Sequence, residues 1–264
     1  MQLDPSMLER VRRHPDYAAP TLTTIGRPIR LYAQVSPWQR MVKRGFDIVF
    51  SAIALIIYGL LFPLIALAIK LDSRGPIFYT QVRVGINRRD RDRREQSAPT
   101  PEDSRRSPDH SNDRRKVVAE GRPFPIVKLR TMYVNAESDG VRWAQKQDPR
   151  ITRVGRLLRL TRLDECPQFW NVLKGDMSVV GPRPERPPFI TLLSDEVPGY
   201  LDRLRFKPGI TGLAQVELGY DTSVESVHRK VACDLEYITN FSLRRDVRIL
   251  FETVRVVLTG QGAF

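Results

Sequence analysis

Histidine and cysteine are scarce in this 264-residue chain, with three of the first and two of the second. Cys166 and Cys233 cannot build a disulfide scaffold and fit a reducing compartment. With only His14, His110 and His228 available, a His-rich zinc site or a Ser-His-Asp triad would rest almost entirely on His228. Glycine-rich phosphate loops are missing too: there is neither a Walker sequence nor the dinucleotide-binding glycine fingerprint. Acid also fails to balance base, since 43 Lys and Arg face 30 Asp and Glu, a formal charge of +13. Such a surplus points to an anionic partner: nucleic acid, a membrane surface or a phosphorylated substrate. An apolar content of 41% excludes a wholly disordered chain, and the length suits one domain with appendages.

The charge is unevenly spread. Residues 1–89 carry a net of +8, residues 90–120 a net of zero, and residues 122–264 a net of +5. The basic first third holds one long apolar run, Ile48 to Ile69, in which 22 residues pass without a charge. As a helix that is about 33 Å, enough for a hydrocarbon core of ~30 Å. Too many polar residues precede it for a signal peptide. Pro63 leaves the carbonyl of Gly59 without its helical partner, so a sharp break is expected at 59–63. Basic residues flank the run on both sides, Arg40, Lys43 and Arg44 before it and Lys70, Arg74 and Arg83 after it. They read as anchors to an anionic leaflet, and neither side wins the contest that fixes orientation. A kinked single span and a re-entrant segment that leaves on the face it entered both fit.

Residues 90–120 have three prolines and almost no aliphatic side chains, which predicts a disordered, charge-balanced insertion. The pieces on either side, Ile77 to Val84 and Phe124 to Leu129, read as strands, so the insertion caps a hairpin. Near the C-terminus Leu243, Val247, Leu250, Val254 and Val257 recur at helical spacing from Ser242 to Leu258, among several arginines. That helix suits a core-packing surface or a membrane interface equally.

The densest polar chemistry lies between residues 150 and 187. Arg150, Arg153, Arg156, Arg159 and Arg162 recur every third position and so spiral around a helix instead of forming the stripe a groove reader needs. Placed just before Asp164-Glu165, they suit a site that gathers a diphosphate. Pro167 marks a new helix at the acidic pair. One carboxylate discourages ionisation of the other while arginines favour it, so such a pair can supply a nucleophile and a proton-transfer group. Asp164 as a simple helix cap remains the alternative. Pro182 and Pro184 hold Arg183 between rigid residues, and Lys207 to Gly212 reads as a turn-rich loop whose N–H groups could meet an anion.

Taken together these strings resemble the bacterial sugar transferase family, the monotopic phosphoglycosyl transferases that start glycan assembly on a polyprenyl carrier. The resemblance runs through KRGFDIVFSAIALIIYGLLFPLIALAIKLDSRGPIFYTQVRVG, FPIVKLRTM, residues 150–187, KPGITGLAQV and LRRDVRILFETVRVVLTGQGAF. It departs in the length of the insertion and in Cys166, which stands where the family usually has an aliphatic residue.

The resemblance implies an α-rich α+β fold, in which a membrane-embedded, re-entrant broken helix joins a catalytic domain with small β elements and amphipathic helices. The chain then divides into a polar tail (1–40), the membrane helix (41–75) and the catalytic domain (76–264), with the insertion inside the last. The implied reaction moves sugar 1-phosphate from a nucleotide sugar, UDP-linked by the same resemblance, to polyprenyl phosphate. In that reading Asp164 is the covalent nucleophile, Glu165 deprotonates or positions the acceptor, and Mg²⁺ sits at Asp164 and the diphosphate. Arg159 and Arg183, with Pro182 and Pro184 around the latter, then contact phosphate or nucleotide, and Lys128 and Arg130 are weaker candidates. The implied location is the bacterial inner membrane with the catalytic domain cytoplasmic, and nucleic acid becomes the least favoured partner. The form VGPRPERP leans towards exopolysaccharide synthesis. The competing class is a non-catalytic, membrane-anchored basic module that binds lipid or nucleic acid. No motif specifies the sugar or an oligomeric state.

Overall fold

The structure, a computed structural model, describes residues 35–86, 121–136, 148–194, 196–218 and 224–259. The 90–120 insertion and most of the 1–40 tail lie outside the described residues. Helix α1 spans Pro37–Asp72, with proline in its first turn, where a missing N–H costs nothing. The break expected at 59–63 is not there: α1 is helical throughout and carries Pro63 in its interior. The carbonyl that Pro63 leaves unpaired belongs to Gly59, where a Cβ would meet open space, so this is the point at which α1 can bend.

One stripe of α1 faces protein along its whole length. Lys43, Asp47, Ser51, Tyr58 and Ile69 are buried, and Phe62 and Ile65 pack between them. These positions fall three, four or seven apart, which is one face of a helix. The other face is bare and apolar, with Leu60 78% and Leu71 80% exposed. Only 11% of the most apolar stretch is buried, so α1 is no core helix of a soluble domain. Among the described residues it is the one helix long and apolar enough to cross a membrane.

Polar side chains tie both ends of α1 to the rest of the chain. Lys43 pairs with Asp246 at 2.6 Å and donates to the Val180 carbonyl at 3.1 Å. Arg44 donates to the carbonyls of Val172 and Leu173 at 2.6 and 2.8 Å. Asp47 accepts from Ser178 Oγ and the Val179 N–H, both at 3.0 Å. Towards the other end, Asp72 accepts from the Val154 N–H at 3.0 Å. Lys43 and Arg44 are therefore not the lipid anchors their position suggested, because the folded chain offers them a carboxylate and helix-end carbonyls instead.

Strands β1 (Phe78–Val84) and β2 (Pro123–Leu129) pair antiparallel, from Phe78 opposite Leu129 to Val84 opposite Pro123, as the flanks of the insertion foretold. Helix α2 covers Arg153–Leu160, and a 3-10 turn, Leu163–Gln168, leads into α3, Phe169–Lys174. Asn171 of α3 covers the open edge of β2, donating to the Pro125 carbonyl at 2.8 Å and accepting from the Val127 N–H at 3.4 Å. Strand β3, Ser178–Val180, runs parallel to β4, Gly209–Thr211. The presumed anion loop is thus a strand, and the Gly209 N–H is spent on the Pro182 carbonyl at 2.9 Å. The approach is so close that a Cβ on Gly181 would lie 2.4 Å from the Lys207 carbonyl.

Helices α4 (Pro187–Ser194), α5 (Leu213–Glu217), α6 (Val224–Thr239) and α7 (Leu243–Thr259), with a second 3-10 turn (Tyr200–Arg205), enclose the main core. Val172, Met177, Val180, Ile190, Phe206, Ile238 and Ile249 form its dry centre. A second cluster joins Tyr58 and Ile69 of α1 to Leu129 and Leu158. The register of α7 differs from expectation: Val247 and Val254 face outwards, because Asp246 and Ile249 turn inwards and Asp246 pairs with Lys43.

Candidate active site

Helix α2 begins where Thr152 accepts the Gly155 N–H at 2.9 Å, an ordinary N-cap. Gly155 lets α2 press on the chain after β2, since a Cβ there would lie 2.1 Å from the Thr131 carbonyl. That approach sets Arg159 Nε 2.9 Å from Thr131 Oγ1, with no partner recorded for its terminal nitrogens. The five arginines part company. Arg150 binds Asp148 at 2.6 Å, Arg153 and Arg156 face solvent, and only Arg159 and Arg162 bear on the charge of Asp164. Arg162 has a left-handed backbone with φ of 58°, the one positive-φ residue other than glycine among those described. It reverses the chain into the 3-10 turn that carries Asp164 and Glu165. Asp164 is therefore not a helix cap; the carboxylate pair sits inside the turn.

The two carboxylates are both buried, yet their surroundings differ. Glu165 Oε1 receives Lys128 Nζ at 2.9 Å and Arg183 Nη2 at 2.6 Å, and Oε2 receives Arg183 Nη1 at 3.3 Å. Burial alone would raise the Glu165 carboxyl. Arg183 and then Lys128 outweigh it through charge and hydrogen bonds, and they hold it well below the usual carboxylate range. Among the described residues Asp164 has no hydrogen-bond or ion-pair partner. Burial first, and then the charge of Glu165, push it from 3.8 up to about 6 against the pull of Lys128, Arg159 and Arg162. At neutral pH it is ionised in the main, but held in a place that resists its charge. Cys166 is pushed up to about 11 by burial and by the two carboxylates, so its thiol stays protonated and serves packing.

Of the residues proposed from sequence, Asp164, Glu165, Lys128 and Arg183 are brought together, with Arg159 beside them. Pro182 and Pro184 shape the turn from which Arg183 reaches in, their carbonyls accepting from the Gly209 N–H and from Arg83 at 2.9 Å. Arg130 is turned elsewhere. It donates to the carbonyls of Ser73 (2.7 Å), Arg74 and Ile69 at the end of α1; strand alternation would put 128 and 130 on one face, but β2 ends at Leu129 and Arg130 is free to turn away. Its guanidinium caps the membrane helix and does not join the carboxylates.

Residues that sequence reasoning missed complete the frame. Glu185, directly after the Pro-Arg-Pro turn, takes Lys230 at 2.8 Å, Arg203 at 3.4 Å and Arg83 at 3.7 Å from three elements. Arg203 also donates to the Arg183 carbonyl at 3.1 Å. Asp47 was the available signal on α1, an isolated acid in a strongly basic helix flank. Thr131 and Asn171 gave no signal, being ordinary polar residues in local sequence. For a metal, Asp164 is the carboxylate left without a partner, and among the described residues no group of three or more His, Cys, Asp or Glu converges. A divalent ion here would have to take the rest of its ligands from a substrate.

Known proteins share this framework. The bacterial sugar transferase family matches residues 38–92 and 110–260. A UDP-N-acetylgalactosamine-undecaprenyl-phosphate N-acetylgalactosaminephosphotransferase of Aeromonas hydrophila is 40% identical over 228 residues, which are 86% of this chain and 46% of that protein. A UDP-glucose:undecaprenyl-phosphate glucose-1-phosphate transferase of Caulobacter vibrioides is 38% identical over 84% of this chain and 72% of its own length. An exopolysaccharide production protein of Rhizobium leguminosarum bv. phaseoli is 36% identical over 84% of this chain and 98% of its own. The chain thus spans about half the length of the Aeromonas relative and nearly the whole of the Rhizobium one.

Proposed function

Because the chain belongs to the bacterial sugar transferase family, we propose that it transfers sugar 1-phosphate from a UDP-sugar to undecaprenyl phosphate, the first membrane step of an exopolysaccharide or other surface glycan. The observation that carries this reading is the contrast within one buried pair: Glu165 clamped by two cations, Asp164 ionised without a partner.

In the first half-reaction an Asp164 carboxylate oxygen attacks the phosphorus that bears the sugar. The oxygen–phosphorus bond to the nucleotide breaks, and the nucleoside monophosphate leaves with that electron pair. In the second, an oxygen of undecaprenyl phosphate attacks the same phosphorus and releases Asp164 as a carboxylate. Dividing the transfer in this way lets two polyanions visit one site in turn. Arg159, with its terminal nitrogens uncommitted, and Arg183 oppose the phosphate charge. Glu165 is too weak a base, with its carboxyl held so low, to remove a proton efficiently; its work is to fix Lys128 and Arg183. The residues fit Mg²⁺ in the way that ion prefers, one or two protein carboxylates with substrate phosphates completing the shell, and Asp164 would hold it. When bound it would supply neutralisation of the diphosphate charge.

Topology supports access to a lipid substrate. Ties at Lys43, Arg44 and Asp47 and again at Ile69 and Asp72 bind both ends of α1 to one domain. A straight perpendicular crossing would pull that domain into hydrocarbon; in this reading α1 bends at Pro63 and enters and leaves on the same face, with the domain on the cytoplasmic side of the inner membrane.

The test uses the full chain in lipid nanodiscs with a panel of nucleotide sugars. Nucleoside monophosphate should accumulate beyond a single equivalent of protein only with undecaprenyl phosphate present, and labelled phosphosugar should be trapped on the protein by donor alone. An Asp164→Asn variant with full turnover would overturn the nucleophile; retention on anionic lipid without any turnover would favour the non-catalytic module.

A further inference from the structure

Tyr58 is out of place in α1. Its neighbours Ile56, Ile57 and Leu60 are 68%, 57% and 78% exposed on the apolar face, whereas Tyr58 is 8% exposed and points into the domain. Its ring is fixed by Phe62, at a centroid distance of 6.0 Å, and by Leu129 and Leu158. Phe62 is in turn stacked on Phe78 of β1 at 5.4 Å. The hydroxyl at the end of this packed ring is buried and has no hydrogen-bond partner. An orphaned buried hydroxyl destabilises the fold, a cost that phenylalanine at the same place would avoid.

The place it occupies suggests what it is for. Leu163 and Cys166, the residues on either side of the carboxylate pair, pack in the same cluster as Tyr58. Cys166 and Asp164 are the groups whose charge reaches its hydroxyl. A donor without an acceptor thus lies in the same enclosed neighbourhood as an acceptor without a donor. We propose that Tyr58 is a positioning residue of the transfer site, its hydroxyl donating to one oxygen of Asp164 and so fixing the other towards the donor phosphorus. The contact closes when the incoming diphosphate draws Asp164 into its reactive orientation, and no proton is transferred. The membrane helix then contributes a side chain to the chemistry, not only an anchor. This inference rests on Asp164 being the nucleophile.

The experiment compares wild type, Tyr58→Phe and Asp164→Asn, each as the full chain in nanodiscs. It follows single-turnover release of nucleoside monophosphate from UDP-sugar without acceptor, together with thermal unfolding. Phenylalanine keeps the ring and removes only the hydroxyl. The expected result is a rate constant about tenfold lower, the scale of a misoriented reacting group, with KM for the UDP-sugar within about twofold of wild type. The Tm should be equal to or above that of wild type, because an unpaired hydroxyl has gone. A wild-type rate in Tyr58→Phe overturns the inference, as does a fall in rate that comes with a lower Tm or a raised KM, since packing or donor binding would then explain it. If Asp164→Asn still turns over, the nucleophile assignment falls and this inference falls with it. If Asp164→Asn is inert and Tyr58→Phe behaves as wild type, only this inference falls.

Discussion

Asp164→Asn should destroy activity and at the same time make the protein more stable. In the fold the Asp164 carboxyl rises from 3.8 to about 6, because burial and Glu165 oppose its charge. At ~1.4 kcal/mol per pH unit, that rise corresponds to about 3 kcal/mol. The sign follows from which state binds the proton more tightly, and here it is the folded one. The stability that protonated Asp164 contributes is complete below about 3.8 and is lost as pH rises through about 6. At pH 8 wild type therefore carries the full cost of an ionised buried carboxylate, and asparagine, nearly the same shape, carries none. For a domain of this size ~3 kcal/mol amounts to a rise in Tm of about 6–12 °C. Thermal unfolding of the purified full chain, with EDTA and without substrates, at pH 8, 6 and 4.5 reads the effect. The gain should be largest at pH 8, nearly complete near pH 6 and about a third as large at pH 4.5. No gain at pH 8, or an equal gain at all three, would refute the claim that Asp164 is held ionised against its surroundings.

Substitutions at three more positions probe the frame. Glu165→Gln removes the second cause of the rise at Asp164 and frees Lys128 and Arg183, so the acid limb of the donor step should move from near pH 6 to lower pH; an unmoved limb would dissociate the two carboxylates. Gly155→Ala places a Cβ 2.1 Å from the Thr131 carbonyl, and should cost about 1–3 kcal/mol in unfolding assays and displace Arg159, with turnover falling in parallel. Both hydrogen bonds to Asp47 end on Oδ1, which asparagine retains. Asp47→Asn should therefore behave almost as wild type, whereas Asp47→Leu should lower Tm and turnover by orphaning Ser178 and the Val179 N–H, at about 1–3 kcal/mol.

The features legible in the sequence were those set by local pattern. Residues 78–84 and 123–129 alternate as strands do, and the uncharged run from Ile48 to Ile69 announced α1 by length. The carboxylate pair was visible because five arginines and a proline frame it. What local pattern misjudged was the use of charge. Lys43 and Arg44 look like lipid anchors until a carboxylate at 246 and carbonyls at 172 and 173 arrive from far along the chain. Arg130 is two residues from Lys128 yet serves the end of α1, and the spacing alone does not say which of them turns towards Glu165. Residues 59–63 likewise stay helical, because the helix continues on both sides of the proline. Thr131, Asn171 and Glu185 matter through partners that only the folded chain supplies.

The protein-facing stripe of α1 has a consequence for how the site is held together. Asp47 and Lys43 hold β3, from which the chain enters the turn bearing Arg183; Arg44 holds the end of α3, which follows the acidic pair; Asp72 meets the start of α2, and Arg130 ties the end of β2 to the last turn of α1. Each piece of the site is thus tied to one helix whose other face is bare and apolar. That helix is a shared brace, so a substitution that displaces it disturbs all of these pieces at once.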